Sequence, residues 1–141
     1  MTWVRPLPTI TPESAPFFDG LRERRFLVPR CTGCGDLNWS PYPACRSCLT
    51  REQEWTEVSG EGELHTFTVM HTGPRAFTAD GPYVWGFARL RESPRSLLVM
   101  GNLVGVDHDA VAIGMPVRIG YFDVPDHDLT LYHFEAAEHA G

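Results

Sequence analysis

Two Cys-x-x-Cys pairs, Cys31-Thr32-Gly33-Cys34 and Cys45-Arg46-Ser47-Cys48, constrain this chain more than any other feature. A two-residue spacer lets both sulfurs of a tight turn face one point while backbone N–H groups stabilise the thiolates, and two such turns close a tetrahedral site. With all four ligand positions filled by sulfur, the expected occupant is one structural Zn2+ with no coordination position left for water or substrate. Its role is then folding energy, on the order of 10–16 kcal/mol in small zinc modules, and not catalysis. A rubredoxin-like iron or iron–sulfur site and a pair of redox dithiols are the competing uses of the same four sulfurs. Gly35 after the first pair suits the left-handed turn a knuckle needs. Leu49 follows the second pair, so the second knuckle is expected to be less regular.

The rest of the sequence narrows the chemistry further. Every one of the 12 basic residues is arginine, and the formal net charge is −6. Without lysine this polypeptide forms no Schiff base, carries no P-loop and offers no lysine general base. If the metal takes every cysteine, no thiol remains to carry an acyl group, which removes thiolase chemistry from the chain itself. No Gly-x-Ser-x-Gly elbow is present either. No catalytic residue is therefore assigned. The amino terminus lacks the basic start and apolar run of a secretion signal, and no apolar stretch approaches membrane-spanning length. A cytoplasmic protein with reduced thiols is expected, which favours metal ligation over disulfides.

The 141 residues carry 12 prolines and 13 glycines spread among short apolar runs, a pattern that leaves little room for long helices. Thr11 to Arg25 reads as one or two short helices with Phe17, Phe18 and Leu21 buried. Phe26-Leu27-Val28 reads as a strand that Pro29 ends or places at an edge. After the cysteines, strands are expected at Trp55–Val58, Glu63–His71, Tyr83–Leu90, Ser96–Val104, Met115–Phe122 and Leu129–Phe134, with a turn at Gly60-Glu61-Gly62 and a loop over residues 75–82. Trp39, Pro41, Tyr42 and Pro43 are expected to pack the ribbon against its neighbour. Five or six curved antiparallel strands suit a small closed barrel. The fold class is thus mainly β: an OB-fold β-barrel preceded by short N-terminal helices and a four-cysteine zinc ribbon, divided as 1–27 (helical), 28–54 (ribbon) and 55–141 (barrel).

Several residues outside the ribbon are candidates for contact with a ligand or partner. Arg22, Arg24 and Arg25 can meet phosphates through their guanidinium groups, although a solvated helix end is the plainer use of them. His71 closes a strand just before a Gly-Pro turn, where barrel ends often carry contacts. Tyr83, Trp85 and Phe87 alternate along one strand face and suit a stacking platform, core packing or a subunit interface. The remaining histidines show no mutual spacing that suggests a second metal site.

In this order of helix, ribbon and barrel, the chain resembles domain-of-unknown-function family thirty-five. The carriers are Pro16-Phe17-Phe18-Asp19-Gly20-Leu21, Leu27-Val28-Pro29-Arg30-Cys31-Thr32-Gly33-Cys34-Gly35, Trp55-Thr56-Glu57-Val58-Ser59-Gly60-Glu61-Gly62, Thr66 to His71, Gly81 to Gly86 and Ile113 to Arg118. The resemblance implies an acyl-CoA-associated accessory subunit in a hetero-oligomer with a thiolase-like protein. That complex would most naturally be a retro-aldol lyase acting on a CoA thioester such as a steroid side chain. An acyltransferase or condensing enzyme, or an enoyl-CoA hydratase, is the alternative complex. A free-standing acyl-CoA carrier and a nucleic-acid-binding OB-fold are different functions for the same architecture. Against nucleic acid stand the net acidity and the scattered arginines, because phosphate backbones require a concentrated basic surface.

Overall fold

The computed structural model describes residues 5–39, 43–79, 81–92 and 97–137. One short helix, α1 (Ala15–Arg22), opens the fold with a proline in its first turn. Phe17 and Leu21, one helical turn apart, are buried by it, and Phe18 packs at the margin of the same core. The helix ends with the N–H of Arg25 on the Gly20 carbonyl and the N–H of Arg24 on that of Leu21, with Arg24 in the left-handed region at φ 58°. This is the Schellman arrangement, here with arginine where glycine is usual.

Strand β1 (Phe26–Cys31) runs through Pro29 and delivers the chain to the first cysteine. It pairs antiparallel with β2 (Gln53–Val58) from Phe26↔Val58 to Cys31↔Gln53. Pro29 therefore sits within a two-stranded ribbon sheet, where a missing N–H costs little. The strand expected at Trp55–Val58 is present, but its partner is β1 and not a barrel strand.

The barrel is built from β3 (Glu61–Met70), β4 (Tyr83–Leu90), β5 (Leu98–Val104), β6 (Pro116–Asp123) and β7 (Thr130–Ala136). Its closed order β3-β4-β5-β7-β6 is the five-stranded Greek-key arrangement of an OB-fold. One pairing departs from the all-antiparallel expectation: β5 and β7 meet in parallel at Leu103↔Phe134 and Val104↔Glu135. Closure requires it, because the third and last barrel strands run the same way when the fourth returns to pair with the first. The turn expected over Gly60 to Gly62 is confined to Gly60, since Glu61 and Gly62 already belong to β3. Within the expected loop 75–82, Arg75–Thr78 forms a single helical turn, α2, joined to the amino-terminal segment by Arg5, whose guanidinium lies 5.0 Å from the Phe77 ring centroid.

The inward residues Leu64, Val84, Ala88, Leu90, Val99, Leu103, Val117, Ile119 and Phe134 fill the barrel. Gly86 pairs with Phe67, next to the register shift between Leu64 and Thr66, and a Cβ there would stand 2.6 Å from the Thr66 carbonyl oxygen. A second, aromatic layer joins helix, ribbon and barrel. Phe17 and Phe26 meet edge to face at 5.3 Å, Phe26 and Tyr132 at 5.1 Å, and Trp39 stands 4.8 Å from Phe17. Such pairs contribute roughly 0.5–1.5 kcal/mol each beyond their buried area. Trp39 thus packs the ribbon as expected; Pro43 is exposed instead, and Pro41 and Tyr42 lie outside the described residues. Among the described residues no helix is long and apolar enough to cross a membrane.

Candidate metal centre

The end of β1 and the loop before β2 place the four cysteines together. In the first knuckle the Gly35 N–H donates to the Cys31 carbonyl at 2.9 Å and the Cys34 N–H to the Cys31 sulfur at 3.3 Å. The second knuckle repeats this: the Leu49 N–H donates to the Cys45 carbonyl at 2.9 Å and the Ser47 N–H to the Cys45 sulfur at 3.4 Å. Leu49 adopts φ 65° where Gly35 has φ 78°, so the expected irregularity of the second knuckle is absent. Leucine takes the left-handed conformation at a cost of about 1–2 kcal/mol.

All four sulfurs lie within 4.8 Å of one another, with Cys31 Sγ and Cys48 Sγ 3.4 Å apart and Cys34 Sγ and Cys45 Sγ 3.6 Å apart. Zinc–sulfur bonds of about 2.3 Å place the vertices of a tetrahedron roughly 3.8 Å apart, so the set fits one ion with a small outward shift. Cys31 and Cys45 are fully buried. The N–H of Cys48, then the Asn38 side chain and the Ser47 N–H, bring the Cys45 thiol down to about 6, against the opposing effect of burial. Cys31 is likewise lowered, chiefly by the Cys34 N–H. At Cys34 the Asp36 N–H favours the thiolate, but desolvation and the neighbouring cysteines outweigh it and raise the thiol to about 12. Cys48 is raised as well: the Thr50 N–H favours its thiolate, and Cys31 and desolvation oppose it. Four thiols this close cannot all ionise alone. A dication at their centre would remove that conflict.

A polar shell that the sequence reading missed supports the second knuckle. Asn38 is fully buried; its Oδ1 accepts from the Arg46 N–H at 3.1 Å and its Nδ2 donates to Gln53 Oε1 at 3.3 Å. Its own N–H donates to the Pro29 carbonyl at 2.9 Å. The Ser47 hydroxyl donates to Asp36, joining the knuckles. The only sequence signal was an asparagine between two cysteine pairs, a position whose burial depends on tertiary closure.

The other candidate residues scatter. Arg22 stands 3.4 Å from Asp128, Arg24 forks onto both Asp123 oxygens at 3.0 and 3.1 Å, and Arg25 binds Glu57 at 2.7 Å and Glu23 at 3.2 Å. Each thus meets a carboxylate of its own chain, and the Arg24 pair with the Thr130 hydroxyl lowers Asp123 to about 2. His71 stands edge to face with His108 at 5.8 Å, a meeting the spacing did not reveal, and His108 lies between the exposed Asp107 and Asp109. Tyr83 is tilted against Phe77 at 6.0 Å. Trp85 faces outward from β4 and lines an apolar groove of about 540 Å3, together with Leu7, Phe18, Met100, Asn102 and Leu131.

Comparison with known proteins adds the family context. Residues 18–54 match the family described as ChsH2, rubredoxin-like zinc ribbon domain, and residues 55–122 match ChsH2, C-terminal OB-fold domain. The chain is 34% identical over 135 residues to a probable enoyl-CoA hydratase alpha subunit of Thermomonospora curvata. It is also 34% identical over 131 residues to the 3-oxo-4,17-pregnadiene-20-carboxyl-CoA hydratase alpha subunit of Mycobacterium tuberculosis. These matches take in 95% and 93% of this chain, which spans only 40% of the length of each of those proteins. Among solved structures, a chain of an Ltp2-ChsH2(DUF35) aldolase superposes with a TM-score of 0.78 at 32% identity, over 92% of this chain and 98% of that one.

Proposed function

The chain belongs to the ChsH2 (DUF35) family of zinc-ribbon and OB-fold proteins, and from that premise we propose that it is a non-catalytic accessory subunit of a heteromeric enzyme acting on a CoA thioester. The partner is a thiolase-like protein. The reaction is a retro-aldol cleavage, in which the bond between the second and third carbons of a 3-hydroxyacyl thioester breaks to a carbonyl compound and a shortened acyl-CoA. A steroid side chain is the substrate class that the mycobacterial relative's name suggests. One observation carries this reading: the chain superposes with a TM-score of 0.78 at 32% identity on a chain whose description places it in an aldolase.

The chain's own chemistry supports an accessory role. It has no lysine, and its four cysteines sit in one cluster that fits Zn2+, leaving no free thiol and no lysine amine to attack a thioester. Cys31, Cys34, Cys45 and Cys48 are the proposed zinc ligands, and the ion's task is to brace the ribbon. The partner supplies the acid, the base and the oxyanion donors. Because Arg22, Arg24 and Arg25 already face internal carboxylates, CoA rests mainly on the partner, while Tyr83, Trp85 and His71 remain contacts of this subunit. The working division is residues 1–27, 28–54 and 55–141, with β2 crossing the last boundary. A reducing cytoplasm suits four ligating thiolates.

The test is reconstitution with a thiolase-like protein from the same organism. The expected result is no lyase activity from either protein alone, activity from the co-expressed pair, and one zinc per chain by elemental analysis. Full activity of the partner alone overturns the accessory role. A second reading, a hydratase complex, draws on the two alpha-subunit relatives; hydration of an enoyl-CoA by the pair, without carbon–carbon cleavage, would establish it instead.

A further inference from the structure

The outer face of the barrel carries an apolar surface that the described residues leave uncovered. On β4 the side chains alternate, Val84, Ala88 and Leu90 inward and Tyr83, Trp85 and Phe87 outward. Across the strand pair Trp85 stands opposite Asn102 and Phe87 opposite Met100. Phe87 is 36% exposed, Met100 39% and Val104, further along β5, 38%. Met100 and Trp85 also line the groove toward α1, whose far wall includes Leu7, itself 42% exposed. Groove and sheet face are therefore one continuous surface. Trp, Phe and Met are the residues enriched where proteins meet.

We propose that this face, from the α1 groove across β4 and β5, is where the thiolase-like subunit docks, through an uncharged apolar patch of its own; the proposal rests on the accessory-subunit reading above. Charge selects this occupant. Among the described residues no charged side chain lines the groove, and the nearby arginines of the α1 end are engaged with Asp128, Asp123 and Glu57. Arg89, two residues beyond Phe87 on the same side of β4, stands 3.2 Å from His65 Nδ1 at the rim of the face, so the groove itself offers the phosphates of a CoA molecule no cation. A second copy of this chain would bring another −6 against the first, which opposes self-association. Extent points the same way. A small ligand in the groove would leave Phe87 and Val104 in water, while a protein face covers all of them. The surface is also held in shape before contact: the Tyr132 hydroxyl donates to the Met100 carbonyl, and Asn102 Nδ2 donates to the Val84 carbonyl at 3.4 Å. Little ordering cost remains for binding.

The experiment measures the affinity of the purified zinc-loaded chain for the thiolase-like protein that reconstitution identifies as its partner, by calorimetry. The compared chains are wild type, the double variant Phe87→Glu/Met100→Glu, and Ile113→Glu, a residue 69% exposed that takes no part in the groove. Zinc content and thermal midpoint verify that each variant is folded. The expected result is a loss of more than about 30-fold for the double variant, the size of a hot-spot change, and none for Ile113→Glu. Wild-type affinity in the double variant overturns the docking face and leaves the accessory role standing. Absence of binding by wild type overturns the accessory role, and the face with it. Two further results assign the face to another occupant and overturn the proposal: a wild-type homodimer that the double variant abolishes, or saturable octanoyl-CoA binding lost in the double variant while partner affinity is kept.

Discussion

The two knuckles of the ribbon reach the same geometry from unequal sequences. Both close with a 2.9 Å hydrogen bond from the fifth residue to the first cysteine's carbonyl, and both hold that fifth residue at positive φ. Gly35 does so without strain, and a Cβ there would touch nothing within 4 Å. Leu49 does so with its side chain 77% exposed, so burial returns little for the strain. The difference teaches which term governs the ribbon. A metal contribution on the order of 10 kcal/mol can impose a backbone conformation that costs about one-tenth as much.

Removing a ligand should break the comparison altogether. Cys45→Ser exchanges a fully buried sulfur for a poor zinc ligand, and the expected outcome is loss of the ion and collapse of both knuckles together. Elemental analysis should give less than one zinc per ten chains, and the amides of both cysteine loops should exchange freely with deuterium. Protection persisting in the first knuckle would mean that the two halves fold independently.

Asn38→Ala tests the support specific to the second knuckle. It leaves the Arg46 N–H without its acceptor in a part-buried setting, a loss of about 1 kcal/mol. The expected sign is faster metal release to a chelator, with the Cys45 and Cys48 side opening first.

The left-handed positions allow a reciprocal exchange. Gly35→Ala introduces strain that the reduced freedom of the unfolded chain only partly offsets, so stability falls by about 1 kcal/mol. Leu49→Gly runs the other way and gains about 0.5 kcal/mol, because relief of strain exceeds the added unfolded-state entropy. Denaturant midpoints of the two variants should therefore move in opposite directions. Movement in the same direction would show that Leu49 makes contacts in solution that outweigh its backbone cost.

The cysteine spacing made the ribbon legible because ligand chemistry is local: two sulfurs per turn need no knowledge of the rest of the chain. The barrel strands were legible for a related reason, since alternation along Tyr83–Leu90 records one inward face. What escaped was set by closure. The pairing of β2 with β1, the parallel contact of β5 with β7, the burial of Asn38 and the meeting of His71 with His108 all join residues distant in sequence. Leu49 escaped for the opposite reason. Local preference argued against its conformation, and the metal-compatible turn overrode it.

Arg24 is a further left-handed residue, and one where a side chain secures the backbone. Its φ of 58° closes α1, and its guanidinium forks onto Asp123 of β6. Arg24→Gly removes the fork and relieves the strain at once. Near pH 7 the two changes should roughly cancel, since both groups of the pair are about half exposed or more and such pairs contribute little. Acid separates them. The folded-state pKa of Asp123 is held at about 2, below its ordinary 3.8, so its contribution is present above pH 4 and is lost as pH falls from 4 toward 2. Glycine at position 24 removes the larger of the two causes and leaves the Thr130 hydroxyl, so the variant's acid dependence should be shallower. Metal loss in acid is common to both chains and cancels in the difference. The variant should therefore overtake wild type in stability between pH 4 and pH 3, in unfolding curves run side by side; parallel curves throughout would mean that the fork seen at Asp123 carries no linkage in water.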